Sequence, residues 1–355
     1  MLTHGNVRSN VAAIANLVAL QPDDAFLGVL PFFHSFGYTA TLWTTLTLDV
    51  GGAFHVNPLD ARRVGELCEA HRVSVIMTTP TFLRHYLKRC TAEQLRTVDA
   101  VVTAAERLDP GLADAFEAKF GTRPVEAYGA TELSPLVSCN IPASRTRESG
   151  RDRKEGTVGR PALHVHARAV DLESGQVKAT GDVGMLQIRG PNVMKGYYGR
   201  PDLTAEVIQD GWYVTGDLGC VDEDGFIQLA GRLSRFSKIG GEMVPHVGVE
   251  EAINRLLGSA PDGGIMAAVT AVPDARKGER LVVLHAPLDR DPAALCEALA
   301  KGGLPRLFIP SPDNWFEVAA VPVLGTGKLA LREVRRIARE RTGNVPETGG
   351  SASLP

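Results

Sequence analysis

Hydrophobic positions recur along this chain with two periods, and the periods alternate. In residues 6–19, Val7, Val11, Ile14 and Val18 fall on one helical face, and Thr3 or Asn6 can cap it. Phe26–Leu30 is a short apolar run closed by Pro31, which reads as a strand. Val73–Met77, Ala100–Thr103 and Val125–Ala127 read the same way. Between them stand helical patterns from Pro80 to Arg89 and from Pro110 to Phe120. Strands alternating with helices predict parallel pairing in an α/β layer, with ligands beyond the carboxyl ends of the strands.

From about Gly156 to Ala230 the texture changes to short strands and turns, with a hairpin signal at Asp222-Glu223-Asp224-Gly225. After Gly231-Arg232 it changes again. Helices at Val249–Leu257 and Pro292–Ala300, and strands at Ile265–Val272, Leu281–His285 and Trp315–Val318, predict a small α+β unit. The expected fold is thus an α/β large domain with parallel sheet layers and a β-rich subdomain, then a small α+β C-terminal domain. The expected boundaries are 1–233, 234–341, and a disordered Gly/Ser/Pro-rich tail over 342–355.

Residues 25–48 carry no charged side chain but hold Pro31, His34, Ser35 and several threonines. That polar content predicts a buried strand, a turn and a buried helix rather than a bilayer span. Over 355 residues the formal net charge is −3, which excludes a basic nucleic-acid binder. Five scattered cysteines without a CxxC pair indicate free thiols in a reducing cytoplasm, not a zinc site or a disulfide framework. No basic and apolar leader opens the chain. With 37 glycines and 22 prolines, the share of these residues exceeds the usual ~12%, which favours backbone-built sites.

Three loops carry candidate chemistry. Tyr128-Gly129-Ala130-Thr131-Glu132 brings an aromatic, a hydroxyl and a carboxylate onto one strand-end turn; they suit a base, a phosphate oxygen and Mg²⁺. An ordinary turn accounts for it equally well. Tyr213-Val214-Thr215-Gly216-Asp217 ends in a carboxylate just past a strand, where an acid can hold a ribose diol, although turn aspartates are common. Gly325-Thr326-Gly327-Lys328 is not a Walker A loop, yet its lysine could reach a phosphate. Weaker signals are His55 and Asp60, at a glycerolipid-acyltransferase spacing, and His164 and His166, expected on one strand face. The basic helix Leu331–Thr342 reads as solvated rather than membrane-anchoring.

The order of these segments is more specific than any of them. Pro31-Phe32-Phe33-His34-Ser35-Phe36-Gly37, the two tyrosine loops, Gly231-Arg232 and Gly325-Thr326-Gly327-Lys328 together resemble the adenylate-forming (AMP-binding) acyl synthetase superfamily. The segment from Gly231 to Val244 looks most like the acyl-[acyl-carrier-protein] synthetases, including the C-terminal half of the bifunctional 2-acylglycerophosphoethanolamine acyltransferases. The resemblance implies roles. Tyr128 would stack on adenine, with Ala105, Glu106, Gly129 and Ala130 around the nucleotide. Thr131 would contact phosphate, Glu132 would hold Mg²⁺, and Asp217 would clamp the ribose beside Arg232. His34 would sit between acyl group and nucleotide, Ser234 would be the hinge, and Lys328 would bridge the carboxylate and the α-phosphate.

The implied reaction is ATP-dependent activation of a fatty acid to acyl-AMP, then transfer to a phosphopantetheine thiol. Acyl carrier protein is the expected donor, on the cationic Arg235-Phe236-Ser237-Lys238 loop, with coenzyme A the alternative. The superfamily's Gly-rich loop ending in Pro-Lys-Gly would lie just before Met1. The expectation is therefore a chain lacking its N-terminal part and phosphate loop, cytoplasmic, with peripheral association at the inner membrane face through the missing region. Two competing readings are a non-catalytic AMP- or acyl-binding remnant and, on His55 and Asp60 alone, a lipid acyltransferase.

Overall fold

The computed structural model describes residues 1–146, 152–258, 265–323 and 329–344. The chain divides into two compact units, Met1–Ala230 and Gly231–Pro355.

In the first unit α1 (His4–Leu17) precedes β1 (Ala25–Gly28). A π-helical segment (Phe36–Trp43) runs into α2 (Thr44–Thr47), then β2 (Gly51–Phe54), α3 (Ala61–Ala70), β3 (Val75–Thr78) and α4 (Pro80–Arg89). β4 (Ala100–Thr103), α5 (Pro110–Phe120), β5 (Val125–Gly129), β6 (Leu136–Cys139) and β7 (Arg160–Pro161) follow. These strands form one sheet in the order β2-β1-β3-β4-β5-β6-β7, with β2 to β5 parallel and β6 and β7 antiparallel.

The helices start where polar side chains cap them. Thr3 and Asn6 form a capping box on α1. Asp60, Thr79 and Asp109 cap α3, α4 and α5, the last two with proline at the first turn. β1, β3 and β4 are buried throughout, as expected of strands covered on both faces. Their alternation sorts the two cores. Leu27, Ile76 and Val101 face α3, α4 and α5, whereas Phe26, Val75 and Val102 face α1 and the π-helical segment.

The uncharged stretch 25–48 is thus a strand, a turn and a buried helix. Four of its threonines bond the backbone, among them Thr41 Oγ1, which donates to the Gly37 carbonyl at 2.7 Å, and Thr44 Oγ1, which donates to the Thr39 carbonyl at 3.0 Å, while the buried Thr39 hydroxyl has no such bond among the described residues. Among the described residues no helix is long and apolar enough to cross a membrane.

A second, antiparallel sheet is built from β8 (His166–Val170), β9 (Gly184–Arg189), β10 (Ile208–Gln209), β11 (Trp212–Val221) and β12 (Ile227–Arg232), with α6 (Pro201–Val207) before β10. The predicted hairpin turn at 222–225 joins β11 to β12. One expectation fails here. His164 lies in the turn before β8 with φ +62°, so it shares no strand face with His166.

The second unit holds β13 (Phe236–Ile239), β14 (Glu242–Pro245), α7 (His246–Leu257), β15 (Ala267–Asp274), β16 (Gly278–His285), α8 (Pro292–Lys301), β17 (Trp315–Glu317) and α9 (Leu331–Arg341). Its sheet runs β14-β13-β16-β15, with β17 parallel to β16. α9 buries Val334 and Ala338 and keeps its arginines outward, the solvated helix expected. Of the tail expected from Thr342, residues 345–355 lie outside the described residues.

Candidate active site

The parallel strands deliver the first unit's motif residues to one edge. His34 follows β1, Ala105 and Glu106 follow β4, and Thr131 and Glu132 follow β5, all at the carboxyl ends. The opposite edge is different in kind. There a polar cavity of about 860 Å³ is lined by Asp24, Ser74, Asp99 and Arg145 among others. Arg145 clamps Asp24 with two bonds of 2.7 and 2.9 Å and reaches Asp99 at 2.6 Å. The cavity lies at the amino ends of β1, β3 and β4, and none of the predicted site residues lines it.

The turn after β5 is shaped by backbone contact. A Cβ on Gly129 would stand 2.2 Å from the Pro135 carbonyl oxygen, so only glycine lets the chain fold back there. The returning loop is held by α1: buried Asn10 donates to the Leu133 and Leu136 carbonyls and accepts from the Leu136 amide. Asn192 adds a bond to the Leu136 carbonyl at 2.9 Å. On this turn the Ala130 amide donates to the Pro135 carbonyl, and Thr131 Oγ1 is 3.1 Å from the Ser35 hydroxyl.

The two tyrosine motifs meet through their side chains. The Tyr128 hydroxyl donates to Asp217 Oδ2 at 2.5 Å, both residues buried. Asp217 does not sit past a strand, as expected, but inside the ten-residue β11. It reaches Tyr128 because the register slips between Val214 and Leu218, where Gly216 takes φ +75°. Thr215 Oγ1 accepts from the Asp217 amide and donates to the Leu186 carbonyl, which fixes the bulge.

Glu132, half-buried, accepts the Tyr197 hydroxyl on Oε1 at 2.9 Å, and its carbonyl accepts the Met194 amide. Burial, and next the bond to Glu132, push the Tyr197 phenol up. Tyr213 is pushed up further, by burial first and then by the nearby Glu132 charge. Neither phenol ionises near neutrality, so both serve as donors. Glu106 Oε2 accepts from the amide and hydroxyl of Thr81 at the start of α4. Ala105 holds φ +71°, a left-handed conformation unusual for a residue with a side chain. His34 Nδ1 accepts the Phe36 amide at 3.2 Å, which places the ring proton on Nε2.

For Mg²⁺ the donor set is spare. Among the described residues no group of three His, Cys, Asp or Glu could hold a metal ion. A single half-buried carboxylate such as Glu132 nevertheless suits Mg²⁺, which takes one or two protein carboxylates and completes its shell with water and substrate phosphates.

In the second unit Arg232 and Ser234 are exposed on the segment leading to β13. The loop expected to be cationic is not so. Arg235 is buried, donating to Glu250 at 2.8 Å and to the Val269 carbonyl at 3.0 Å; Ser237 is buried against His246 Nε2 at 2.7 Å. Of the expected cations only Lys238 stays exposed, because burial of an arginine requires a paired acid and Glu250 supplies it. Gly325, Thr326, Gly327 and Lys328 lie outside the described residues. His55 and Asp60 do approach, at 3.4 Å, but Asp60 is spent capping α3.

Residue-pattern reading missed Asn10, Asn192 and Tyr197. The only available signal for the last was its place in a glycine-bounded Gly196-Tyr197-Tyr198-Gly199 turn.

A family model described as "AMP-binding enzyme" matches residues 1–198. A feruloyl-CoA synthase from Amycolatopsis sp is 31% identical over 95% of this chain and 66% of its own length. A long-chain-fatty-acid–CoA ligase of Bacillus subtilis is 29% identical over 97% of this chain and 59% of its own length. The chain therefore spans about three fifths to two thirds of these relatives. Among solved structures, ATP-bound MatB of Rhodopseudomonas palustris superposes with a TM-score of 0.80 at 28% identity, covering 96% of this chain and 65% of that one.

Proposed function

Because the chain belongs to the AMP-binding enzyme family, we propose that it takes part in ATP-dependent activation of a carboxylic acid of the fatty acyl class and in transfer of the acyl group to a thiol. In the first step the acid's carboxylate attacks the α-phosphorus of ATP, giving acyl-AMP and pyrophosphate. In the second the thiol sulfur attacks the acyl carbon and AMP leaves. The observation that carries the reading is the Tyr128–Asp217 bond, which joins two motifs 89 residues apart at the carboxyl edge of the parallel sheet.

In this reading Asp217 accepts the ribose hydroxyls, Tyr128, Ala105 and Glu106 border the adenine, and Thr131 meets a phosphate oxygen. Glu132 would hold Mg²⁺, which neutralises phosphate charge when bound. His34 lies between acyl group and nucleotide, Arg232 flanks the ribose, and Lys328 places a cation where charge builds on the α-phosphoryl oxygens. Ser234 is the hinge; its neighbour Arg235 is tied down by Glu250 and Val269, and the Ser234 carbonyl accepts a bond from Arg335 that rotation would have to release.

Coenzyme A is the thiol the relatives' names favour, and the burial of Arg235 removes part of the cationic loop that argued for a carrier protein. A reading with acyl carrier protein rests on Lys238 and the exposed basic end of α4. The test is ATP–pyrophosphate exchange with a long-chain fatty acid, followed by transfer from synthetic acyl-AMP to each thiol. Transfer from acyl-AMP to coenzyme A is expected; exchange is expected only of a protein that also carries the superfamily's Gly-rich phosphate loop. Absence of both with nucleotide bound would reduce the chain to a binding module, and preference for a carrier protein that declines with salt would reverse the thiol assignment.

A further inference from the structure

The two motif carboxylates are braced reciprocally. Asp217 takes the phenol of Tyr128, which stands four residues before Glu132. Glu132 takes the phenol of Tyr197, and Tyr197 is hydrogen-bonded by Tyr213, which stands four residues before Asp217. Each acid is therefore held by a tyrosine that belongs to, or is tied to, the other acid's segment. The segment carrying Tyr197 is itself fixed: the Met194 amide donates to the Glu132 carbonyl at 2.8 Å and the Tyr197 amide to Thr204 Oγ1 at 2.9 Å.

Resting on the reading of Glu132 as the Mg²⁺ carboxylate, we propose that Tyr197 is a positioning residue for that cation: its hydroxyl occupies Oε1 and holds the carboxylate in one orientation, leaving Oε2 as the oxygen offered to the metal. A free glutamate side chain has several rotamers to lose when it captures an ion. Here the phenol restricts that freedom beforehand, and the Met194 amide fixes the backbone that carries the side chain. The brace also assigns the Gly196-Tyr197 turn a part in the reaction although it touches no reacting atom. Outer-shell partners of this kind commonly change metal affinity 10–100-fold when removed.

The variant Tyr197→Phe keeps the ring that packs against the β-rich core and deletes only the hydroxyl. ATP affinity is measured by calorimetry across a Mg²⁺ titration, and AMP affinity in the presence of a chelator, for the intact chain, for Tyr197→Phe and for Glu132→Gln. The Mg²⁺ concentration at half-maximal effect should rise roughly tenfold in Tyr197→Phe, with AMP affinity unchanged and a lowered thermal midpoint, because the buried Tyr213 hydroxyl loses its acceptor. Glu132→Gln, which can still accept the phenol's bond, should abolish the Mg²⁺ effect. An unchanged Mg²⁺ requirement in Tyr197→Phe beside a lost one in Glu132→Gln overturns the brace and leaves the metal assignment standing. A Mg²⁺ effect that survives in Glu132→Gln, or is absent from the intact chain, overturns the metal assignment and the brace with it. Loss of AMP binding in Tyr197→Phe shows that the hydroxyl supports the fold of the site, and also overturns the proposal.

Discussion

The hydroxyl of Tyr128 and the carboxylate of Asp217 lie 2.5 Å apart in the interior of the first unit. A charge-assisted bond between a phenol and a carboxylate, out of water, is among the stronger polar contacts a protein makes. It also sets how Asp217 can be tested. Asp217→Ala removes both a nucleotide acceptor and the partner of a buried phenol. AMP affinity should fall by the equivalent of ~1.5–3 kcal/mol for each charge-assisted bond lost, and stability should fall by about 1–3 kcal/mol for the orphaned hydroxyl. Tyr128→Phe should lower stability without an equal loss of AMP affinity. Calorimetry with AMP and urea unfolding separate the two; unchanged AMP affinity in folded Asp217→Ala removes Asp217 from the site.

Asn10 is remote from every motif, yet it holds three backbone groups of the loop that returns from Glu132. Asn10→Leu fills the same space and takes the partner from the Leu133 carbonyl and the Leu136 amide, while the Leu136 carbonyl keeps its bond from Asn192. The expected cost is about 2–4 kcal/mol of first-unit stability, since each unsatisfied buried group costs ~1–3 kcal/mol. AMP affinity should fall as well. Urea unfolding that matches the parent chain would show that the loop finds other partners.

His246 in α7 is buried against Ser237, and burial, with Arg235 and Arg335 nearby, pushes its imidazole down to about 3. The native state therefore refuses a proton that the unfolded chain accepts below about pH 6.5. The second unit's stability should be full above that pH and fall as pH drops from 6.5 toward 3, with a slope of at most about 1.4 kcal/mol per pH unit from this group. His246→Gln can still bond Ser237 and should flatten that part of the profile. A slope unchanged in the variant would assign the dependence to other groups.

In a protein that also carries the Gly-rich phosphate loop, Lys328→Ala should abolish ATP–pyrophosphate exchange and spare thioester formation from synthetic acyl-AMP. A cation that acts on the α-phosphoryl transition state affects only the step in which that charge builds. Equal loss of both half-reactions would contradict a role confined to adenylation.

Much of the fold was legible in the sequence because it rests on local periods. Short apolar runs of three to five residues became β1, β3, β4 and β5, and capped amphipathic runs became α4 and α5 within a residue or two. Binary pattern and capping chemistry act over less than a dozen residues, so they leave a trace in linear order. The two tyrosine motifs were legible for the same reason. What tertiary structure alone decided is which way particular side chains face and what they meet. Asp217 is drawn into β11 by a bulge, Arg235 turns inward to Glu250, and Tyr197 closes on Glu132 across 65 positions. Asn10 reaches a loop about 125 positions away. Such bonds have no period, and nothing near a buried polar residue in sequence announces its partner. They form because a polar group taken out of water must find one, and only the packed chain determines which is within reach.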